Sequence, residues 1–321
     1  MAKKEVILII GAHGQIGTEL TVALREKYGR EAVIAADLAD SSPARQIDGP
    51  YVRLNVMDKM AIEDVVSRNK VTIIYHLAAV LSANGEKNPP HTWTINMLGL
   101  LNVLDMAKIF GLRIFWPSSI AVFGPNSPKV LCPQNAVMEP ATVYGITKHA
   151  GEQLCKYYHR NYGIDVRSLR FPGLISYTAK AGGGTTDYAV DIFHKAVEKE
   201  HYTCFLKAKT RLPMMYMPDA IRAVLQLMDM PAEQLKTRMA YNISAMSFTP
   251  EELYQEIRGH LPGFSILYNP DSRQVIADSW PESIDDAAAI SDWGWQPTYD
   301  LAAMTTDMLE NITKMKLTSI K

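Results

Sequence analysis

The sequence predicts an α/β fold, a doubly wound parallel sheet with a smaller α/β region interleaved into its second half. Three observations lead there. The chain opens with an apolar run that glycines end abruptly, and an amphipathic helix follows at once. The same alternation of strand and helix then repeats at spacings that suit right-handed crossovers within one sheet. Past residue 172 the charged and aromatic residues are more interspersed, as in a region built from insertions after the later strands.

Composition sets outer bounds. The chain has 321 residues, 47% hydrophobic and 21% charged, enough to bury a full core as one large domain or two interleaved ones. A net charge of −1 offers no long-range field for nucleic acid or an acidic membrane surface. The basic clusters are no larger than Lys3-Lys4 and the Lys314–Lys321 tail. Only five apolar residues follow the charged opening, too few for a signal-peptide core, and no stretch approaches a membrane span, so a soluble cytoplasmic protein is expected. Cys132, Cys155 and Cys204 are widely separated and form no C-x-x-C pair, which suits buried thiols in a reducing compartment. The histidines show no ligand spacing, so no metal is expected.

Residues 6–10 (Val-Ile-Leu-Ile-Ile) lack polar alternation, the signature of a fully buried parallel strand. Gly11 permits a tight turn, Gly14 lets backbone N–H groups approach a phosphate, and Gly17 allows helix to pack on strand. The segment 18–27 puts Leu20, Ala23 and Leu24 on one helical face. Strand, glycine turn and helix N-terminus together make a pyrophosphate site. Residues 32–36 read as a second buried strand, and Asp37 at its end lies about 20 residues beyond Gly17. A carboxylate there accepts hydrogen bonds from both adenosine ribose hydroxyls and repels a 2′-phosphate. NAD is therefore expected over NADP, with Asp40 and Arg45 close by in sequence and a plain turn aspartate as the alternative.

Residues 51–56 look like a third strand, closed by Met57-Asp58 before a helix over 59–67. Asp58 either contacts the adenine amino group or caps that helix. Residues 71–79 form a fourth strand whose small last residues would let a cofactor lie against the backbone. Leu98, Leu101, Val103, Leu104 and Ala107 give helical spacing over 96–109, and 113–119 returns to strand. Gly11, Asp37, Ala78 and Ser119 then share the carboxyl edge of the sheet, where ligands of such sheets bind. After a proline-broken loop over 133–142, a helix begins at Val143. Tyr144 and Lys148, four residues apart, project from one face of it. A phenol titrates ordinarily at about 10, and both an ammonium nearby and a cationic nicotinamide favour phenolate. Ser119 can donate to the substrate oxygen and orient it.

Gly11-x-x-Gly14-x-x-Gly17, His76-Leu77-Ala78-Ala79, residues 118–124 (Ser-Ser-Ile-Ala-Val-Phe-Gly) and Tyr144-x-x-x-Lys148 stand in the order of the extended short-chain dehydrogenase/reductase superfamily, which the chain resembles over nearly its full length. Phe123 stands where many members have tyrosine. Gly11-Ala12-His13-Gly14-Gln15-Ile16-Gly17, residues 77–83, 116–121 and 182–189, and Asp278-Ser279-Trp280-Pro281 are most similar to the metal-free, NAD-dependent L-threonine 3-dehydrogenases of the short-chain type. The resemblance implies a Rossmann-like fold and oxidation of the threonine β-hydroxyl to 2-amino-3-ketobutyrate. It implies Ser119, Tyr144 and Lys148 as catalytic residues. For NAD it implies Gly11, Gly14, Gln15, Ile16, Gly17, Asp37, Asn55, Val56, Asp58, Leu77, Ala78, Ala79, Asn96, Tyr144, Lys148 and Pro172. Ser82, Ser119, Tyr144, Thr185, Thr186 and Trp280 would meet the substrate. A homodimer packed through helices 96–109 and 144–162 is expected by the same resemblance.

In the second half, the three glycines 182–184 suggest a mobile loop, and Thr185-Thr186-Asp187 opens a helix over 188–199, its hydroxyls suiting a carboxylate or serving as a plain cap. Residues 214–221 (Met-Met-Tyr-Met-Pro-Asp-Ala-Ile) lead into a helix through Met228, residues 241–244 return to strand, and Thr249-Pro250-Glu251-Glu252 is a capping box. Trp280 either closes over substrate or packs in a core. The expected division is an NAD-binding domain over 1–172 completed by roughly 214–246, a substrate region over 173–213 and 247–313, and a tail over 314–321. Two other functions fit less well: a nucleotide-sugar epimerase or dehydratase, disfavoured by few arginines in the second half, and a non-catalytic NAD-sensing protein, which would not need Ser119, Tyr144 and Lys148 together.

Overall fold

The computed structural model describes residues 5–40, 48–178 and 182–319. Arg45, weighed above as a neighbour of Asp37, lies outside these residues, as do Lys3, Lys4, Ile320 and Lys321. The first strand, β1 (Ile7–Ile10), is wholly buried, and α1 (Gln15–Tyr28) starts inside the glycine sequence, earlier than its apolar face alone suggests. β2 (Val33–Asp37), β3 (Tyr51–Arg53), α2 (Lys59–Asn69) and β4 (Ile73–His76) follow. Next come two short helices, α3 (Ser82–Gly85) and α4 (Pro89–Trp93), and a π-helical turn over Thr94–Leu98 that runs into α5 (Gly99–Phe110). The expected helix over 96–109 is thus the second part of a longer bent one.

The expected fifth strand divides. β5 (Arg113–Phe115) stays in the main sheet, whereas β6 (Ser118–Ser119), beyond Trp116 and Pro117, pairs elsewhere. Proline has no N–H for the ladder, which explains a break there. The catalytic-helix candidate α6 (Val143–Tyr162) is followed by β7 (Val166–Arg167), β8 (Leu169–Phe171) and β9 (Gly173–Ile175). Six parallel strands make the main sheet in the order β3-β2-β1-β4-β5-β7. The chain winds outward through β2 and β3 and then crosses back to β4, so the strand order reverses between β1 and β4, the place where such sheets bind ligands.

The remainder comprises α7 (Tyr188–Val197), β10 (Tyr202–Cys204), β11 (Leu212–Tyr216), α8 (Met217–Asp229), β12 (Tyr241–Asn242), β13 (Met246–Phe248), α9 (Pro250–His260), β14 (Ile266–Tyr268), α10 (Arg273–Ser279), α11 (Ala287–Trp293) and α12 (Leu301–Ser319). The supposed tail is therefore helical as far as Ser319. β12, β8 and β6 form a second parallel sheet, β9 and β11 pair in a third with β13 antiparallel at its edge, and β10 pairs with β14. Three buried clusters account for the architecture: one joins α8 and α1 on one sheet face, one joins α2, α5 and α6 on the other, and a third fills the region around α7, α9 and α12. Among the described residues no helix is long and apolar enough to cross a membrane, and no group of His, Cys, Asp and Glu could hold a metal ion. All three cysteines are buried free thiols.

Candidate active site

Two adjoining cavities run along the carboxyl edge of the sheet and share Gly11, Gly14, Leu77 and Ala79. One, of about 400 Å³, is lined by Asp37, Asn55, Val56, Ala78 and Val80. The other, of about 210 Å³, holds Gln15, Ile16, Gly17, Ser82, Ser119, Tyr144, Lys148, Pro172, Thr185, Thr186 and Trp280. Between them the two cavities gather all but two of the residues named from the sequence.

The shape of the shared edge fits a dinucleotide. Gly11 has φ +93°, and a Cβ there would lie 2.7 Å from the Ala78 nitrogen. A Cβ on Gly17 would lie 2.2 Å from the Gly11 carbonyl oxygen, so helix and turn meet backbone to backbone. Gly14 has an ordinary φ of −73°, which leaves ligand approach rather than conformation as its reason to be glycine. The first turn of α1 has no acidic residue and no side-chain cap, and its residues Gln15, Ile16 and Gly17 line the cavity, the arrangement of an anion site at a helix N-terminus. Asp37 accepts the His13 N–H at 2.9 Å through one oxygen, and its other oxygen is 3.3 Å from the Ala39 N–H. Asp40 ion-pairs with Arg53 at 3.6 Å, and Arg53 faces Asp37 in the β2–β3 ladder.

Two residues named for the cofactor, Asp58 and Asn96, stand outside both linings. Asp58 accepts the Ala61 N–H at 3.0 Å as the cap of α2 and lines neither cavity. Asn96 is also outside both linings. Its amide takes the Val80 N–H at 2.8 Å and donates to the Val80 carbonyl at 3.1 Å and to Thr147 at 3.1 Å, so it braces the cavity wall from behind. Sequence reasoning missed His13, Leu54, His91 and Ile95 in the cavity at Asp37 and Leu81, Leu174 and Asp187 in the other. His13 stands inside the glycine sequence and Asp187 follows the threonine pair, so their position was a signal; nothing in sequence marks the rest.

Ser119, Tyr144 and Lys148 converge because α6 comes unusually close to the chain after β6. A Cβ on Gly145 would lie 2.1 Å from the Ala121 carbonyl oxygen. Thr142 caps the helix through the Gly145 N–H at 3.1 Å. The Ser119 hydroxyl accepts from the Ala121 N–H at 3.2 Å, which leaves its proton to donate. The Lys148 ammonium donates to the Pro117 carbonyl at 2.6 Å and lies 4.6 Å from the Trp116 ring and 5.6 Å from the Tyr144 ring.

The expected acid–base direction is reversed in the protein alone. Burial pushes the Tyr144 phenol up to about 12, with only a hydrogen bond from Ser119 opposing it. Burial also pulls Lys148 down to about 7, against Cys155 and Glu152. Desolvation disfavours both charged forms and outweighs the attraction between them. A cationic ring brought into the cavity would add positive charge and so favour phenolate beside a protonated Lys148.

The far wall of this cavity is polar. Ser82 and Thr185 are buried with their hydroxyls 3.3 Å apart. Asp187 does not cap α7. Its carboxylate instead accepts the N–H groups of Gly183 and Gly184 at 2.7 and 2.6 Å, bonds that oppose the rise burial causes in its pKa.

A family profile described as the NAD dependent epimerase/dehydratase family matches residues 7–244. An uncharacterized epimerase/dehydratase of Staphylococcus haemolyticus is 48% identical over 310 residues, covering 96% of this chain and 98% of that protein. The solved holo form of a GalE-like L-threonine dehydrogenase from Cupriavidus necator is 56% identical with a TM-score of 0.94, covering 96% of this chain and 99% of that one. A monomeric L-threonine 3-dehydrogenase from a metagenome, solved in its apo form, is 51% identical with a TM-score of 0.94, covering 97% and 99%.

Proposed function

The chain belongs to the NAD dependent epimerase/dehydratase family, the extended short-chain dehydrogenases/reductases, and we propose that it oxidises the β-hydroxyl of L-threonine to 2-amino-3-ketobutyrate. One observation carries the reading: a single cavity joins Ser119, Tyr144 and Lys148 to Ser82, Thr185, Thr186 and Asp187. The first three are groups for an alcohol, and the others suit the two ends of a zwitterion. Asp187 would accept from the α-ammonium, the Ser82 and Thr185 or Thr186 hydroxyls would donate to the carboxylate, and Trp280 would cover the methyl end. The comparisons with L-threonine dehydrogenases support this substrate.

NAD would lie with its adenosine at Asp37, Asn55 and Val56 and its pyrophosphate over Gly11, Gly14 and Gly17. When bound, it supplies a hydride acceptor with a cationic ring. Ser119 donates to the β-oxygen and fixes its place, Tyr144 takes its proton, and Lys148 offsets the charge on the phenolate and reaches the ribose. The Rossmann part over 1–172, completed by roughly 214–246, holds the cofactor in this scheme, and the remainder closes over the substrate.

A nucleotide-sugar epimerase is the rival, and a cleft on the far side of Trp280 favours it, being lined by Lys129, Lys207, Lys209 and Arg211. Much of that charge is already engaged. Lys129 donates to the carbonyls of Asp278 and Trp280 at 2.6 and 3.0 Å, and Arg211 pairs with Glu252 and the Ser247 carbonyl. Lys148 is the one cation among the described residues lining the catalytic cavity. NADH absorbance with a panel of L- and D-hydroxy amino acids separates the readings: NADH with L-threonine supports oxidation, whereas none with threonine and interconversion of UDP-sugars without net NADH refutes it. The cytoplasmic homodimer is part of the same proposal. Trp93, Leu98, Ile146 and Tyr157 are exposed on the outer faces of α4–α6, where a second copy would cover them.

A further inference from the structure

We propose that the buried Glu152–Arg170 pair is a positioning device for the catalytic lysine: it locks α6, β6 and β8 into one register and supplies the carboxylate that balances charge behind Lys148. The inference rests on the dehydrogenase reading for what Lys148 does. The geometry is closed on every side. Arg170 grips Glu152 through two parallel bonds, Nε to Oε1 at 2.9 Å and Nη2 to Oε2 at 2.8 Å. The Ser118 hydroxyl, one residue before Ser119, donates to the same carboxylate at 2.6 Å. Arg170 Nη1 donates to the Gln134 carbonyl at 2.8 Å and to the Asn242 amide oxygen at 3.0 Å. Asn242 in turn donates to the carbonyls of Cys132 and Asp285 at 3.1 Å each, which ties the pair to the segment that leads from Trp280. Ser118, Glu152, Arg170 and Asn242 are all at most 2% exposed.

A buried ion pair is a weak argument for stability, because two well-packed apolar side chains often serve as well. Its place on the helix is what distinguishes this one. Glu152 stands one turn beyond Lys148, as Lys148 stands one turn beyond Tyr144. Ser118 and Arg170 occupy facing positions of the β6–β8 ladder, so the carboxylate clamps both strands to the helix. Among the described residues, the other groups that touch Lys148 or shift its pKa carry no carboxylate. The Pro117 carbonyl and Trp116 ring are neutral, burial keeps the His76 imidazole unprotonated by pulling it down to about 3, and burial keeps the Cys155 thiol protonated. Glu152 is the nearby carboxylate, and Arg170 offsets it.

The charge half of the proposal is tested without substrate, by titrating Lys148 through the ¹³Cε signal of labelled lysine in a Tyr144→Phe background, the signal being assigned by its loss in Lys148→Met. Glu152→Gln leaves the guanidinium and should lower the midpoint by about one pH unit or more. Arg170→Met leaves the carboxylate and should raise it, so either single variant decides if the other does not fold. The double variant should return to within about half a unit of the parent, since one pKa unit is a tenfold change. An unmoved midpoint in the folded singles would leave the pair merely structural. Ser118→Ala tests the register half. It should lower kcat for NADH formation from L-threonine by about tenfold with NAD affinity unchanged, because small misplacement of a reacting group is costly; unaltered kcat overturns that half. If the parent forms no NADH from threonine, the dehydrogenase reading fails, while the lysine titration still judges the pair.

Discussion

Lys148→Met probes the coupling of phenol and ammonium. The ammonium lies 5.6 Å from the centre of the Tyr144 ring. Taking the ring centre as the mean position of the phenolate charge and an effective dielectric constant of about 20, two unit charges at that separation attract by about 3 kcal/mol, or about two pKa units. With NAD bound and Lys148 held protonated by the phenolate, removing the ammonium should therefore move the acidic limb of the kcat/KM profile up by about two pH units and cost roughly a hundredfold below it. Steady-state kinetics with L-threonine at saturating NAD across the pH range is the assay. Much of the loss should be recovered above the displaced limb. A limb left in place, with the rate lowered equally at every pH, would refute the electrostatic role and leave only lost ribose contact.

The same variant carries a stability consequence. Lys148 titrates at about 7 when folded against an ordinary 10.5, so between those values the unfolded chain holds a proton that the native state has released. Its contribution to stability is fully present above 10.5 and is lost as pH falls toward 7. Lys148→Met should accordingly raise the melting temperature most below pH 7, with the gain gone above 10.5. Thermal melts on either side of that window check the sign.

Three further substitutions test separate parts of the site. Tyr144→Phe should lower kcat by about 10²–10⁴ with NAD affinity unchanged by calorimetry, the usual worth of one positioned acid–base group; undiminished turnover would remove the phenol from the mechanism. Asp37→Ser removes the carboxylate expected to repel a 2′-phosphate, and the kcat/KM preference for NAD over NADP should fall by about tenfold or more, about 1.4 kcal/mol. Gly17→Ala places a methyl 2.2 Å from the Gly11 carbonyl oxygen and 2.8 Å from Ala12 backbone atoms, none of which can swing aside. It should cost about 1–3 kcal/mol of stability and most NAD affinity, whereas Gly14→Ala, with its 3.3 Å contact, should fold normally.

The fold was legible where the local pattern and the global arrangement agree. An unbroken apolar run, three glycines and an amphipathic helix permit one arrangement, and Tyr144 and Lys148 share a face by helical spacing alone. The limits have physical causes. Asp58 can cap a helix or meet a ligand with the same side chain, and sequence could not show the 3.0 Å cap bond from the Ala61 N–H. The two-residue strand at Val166 is too short for any periodicity to show. The rise of the Tyr144 phenol in the protein alone was not legible, because neighbours along a helix can be counted from sequence, while desolvation depends on what the rest of the chain places around them. Asp187 stands at the start of a helix but binds the glycine loop, since a carboxylate takes whichever N–H groups the backbone turns toward it.

Hydride transfer from the threonine β-carbon is tested most directly with L-threonine carrying deuterium at C3, incubated with the protein and NAD. The account predicts that the deuterium appears in the reduced cofactor, read by mass spectrometry, and that Tyr144→Phe slows its appearance in step with kcat. Deuterium retained in threonine, or released to water while NAD stays oxidised, would contradict it.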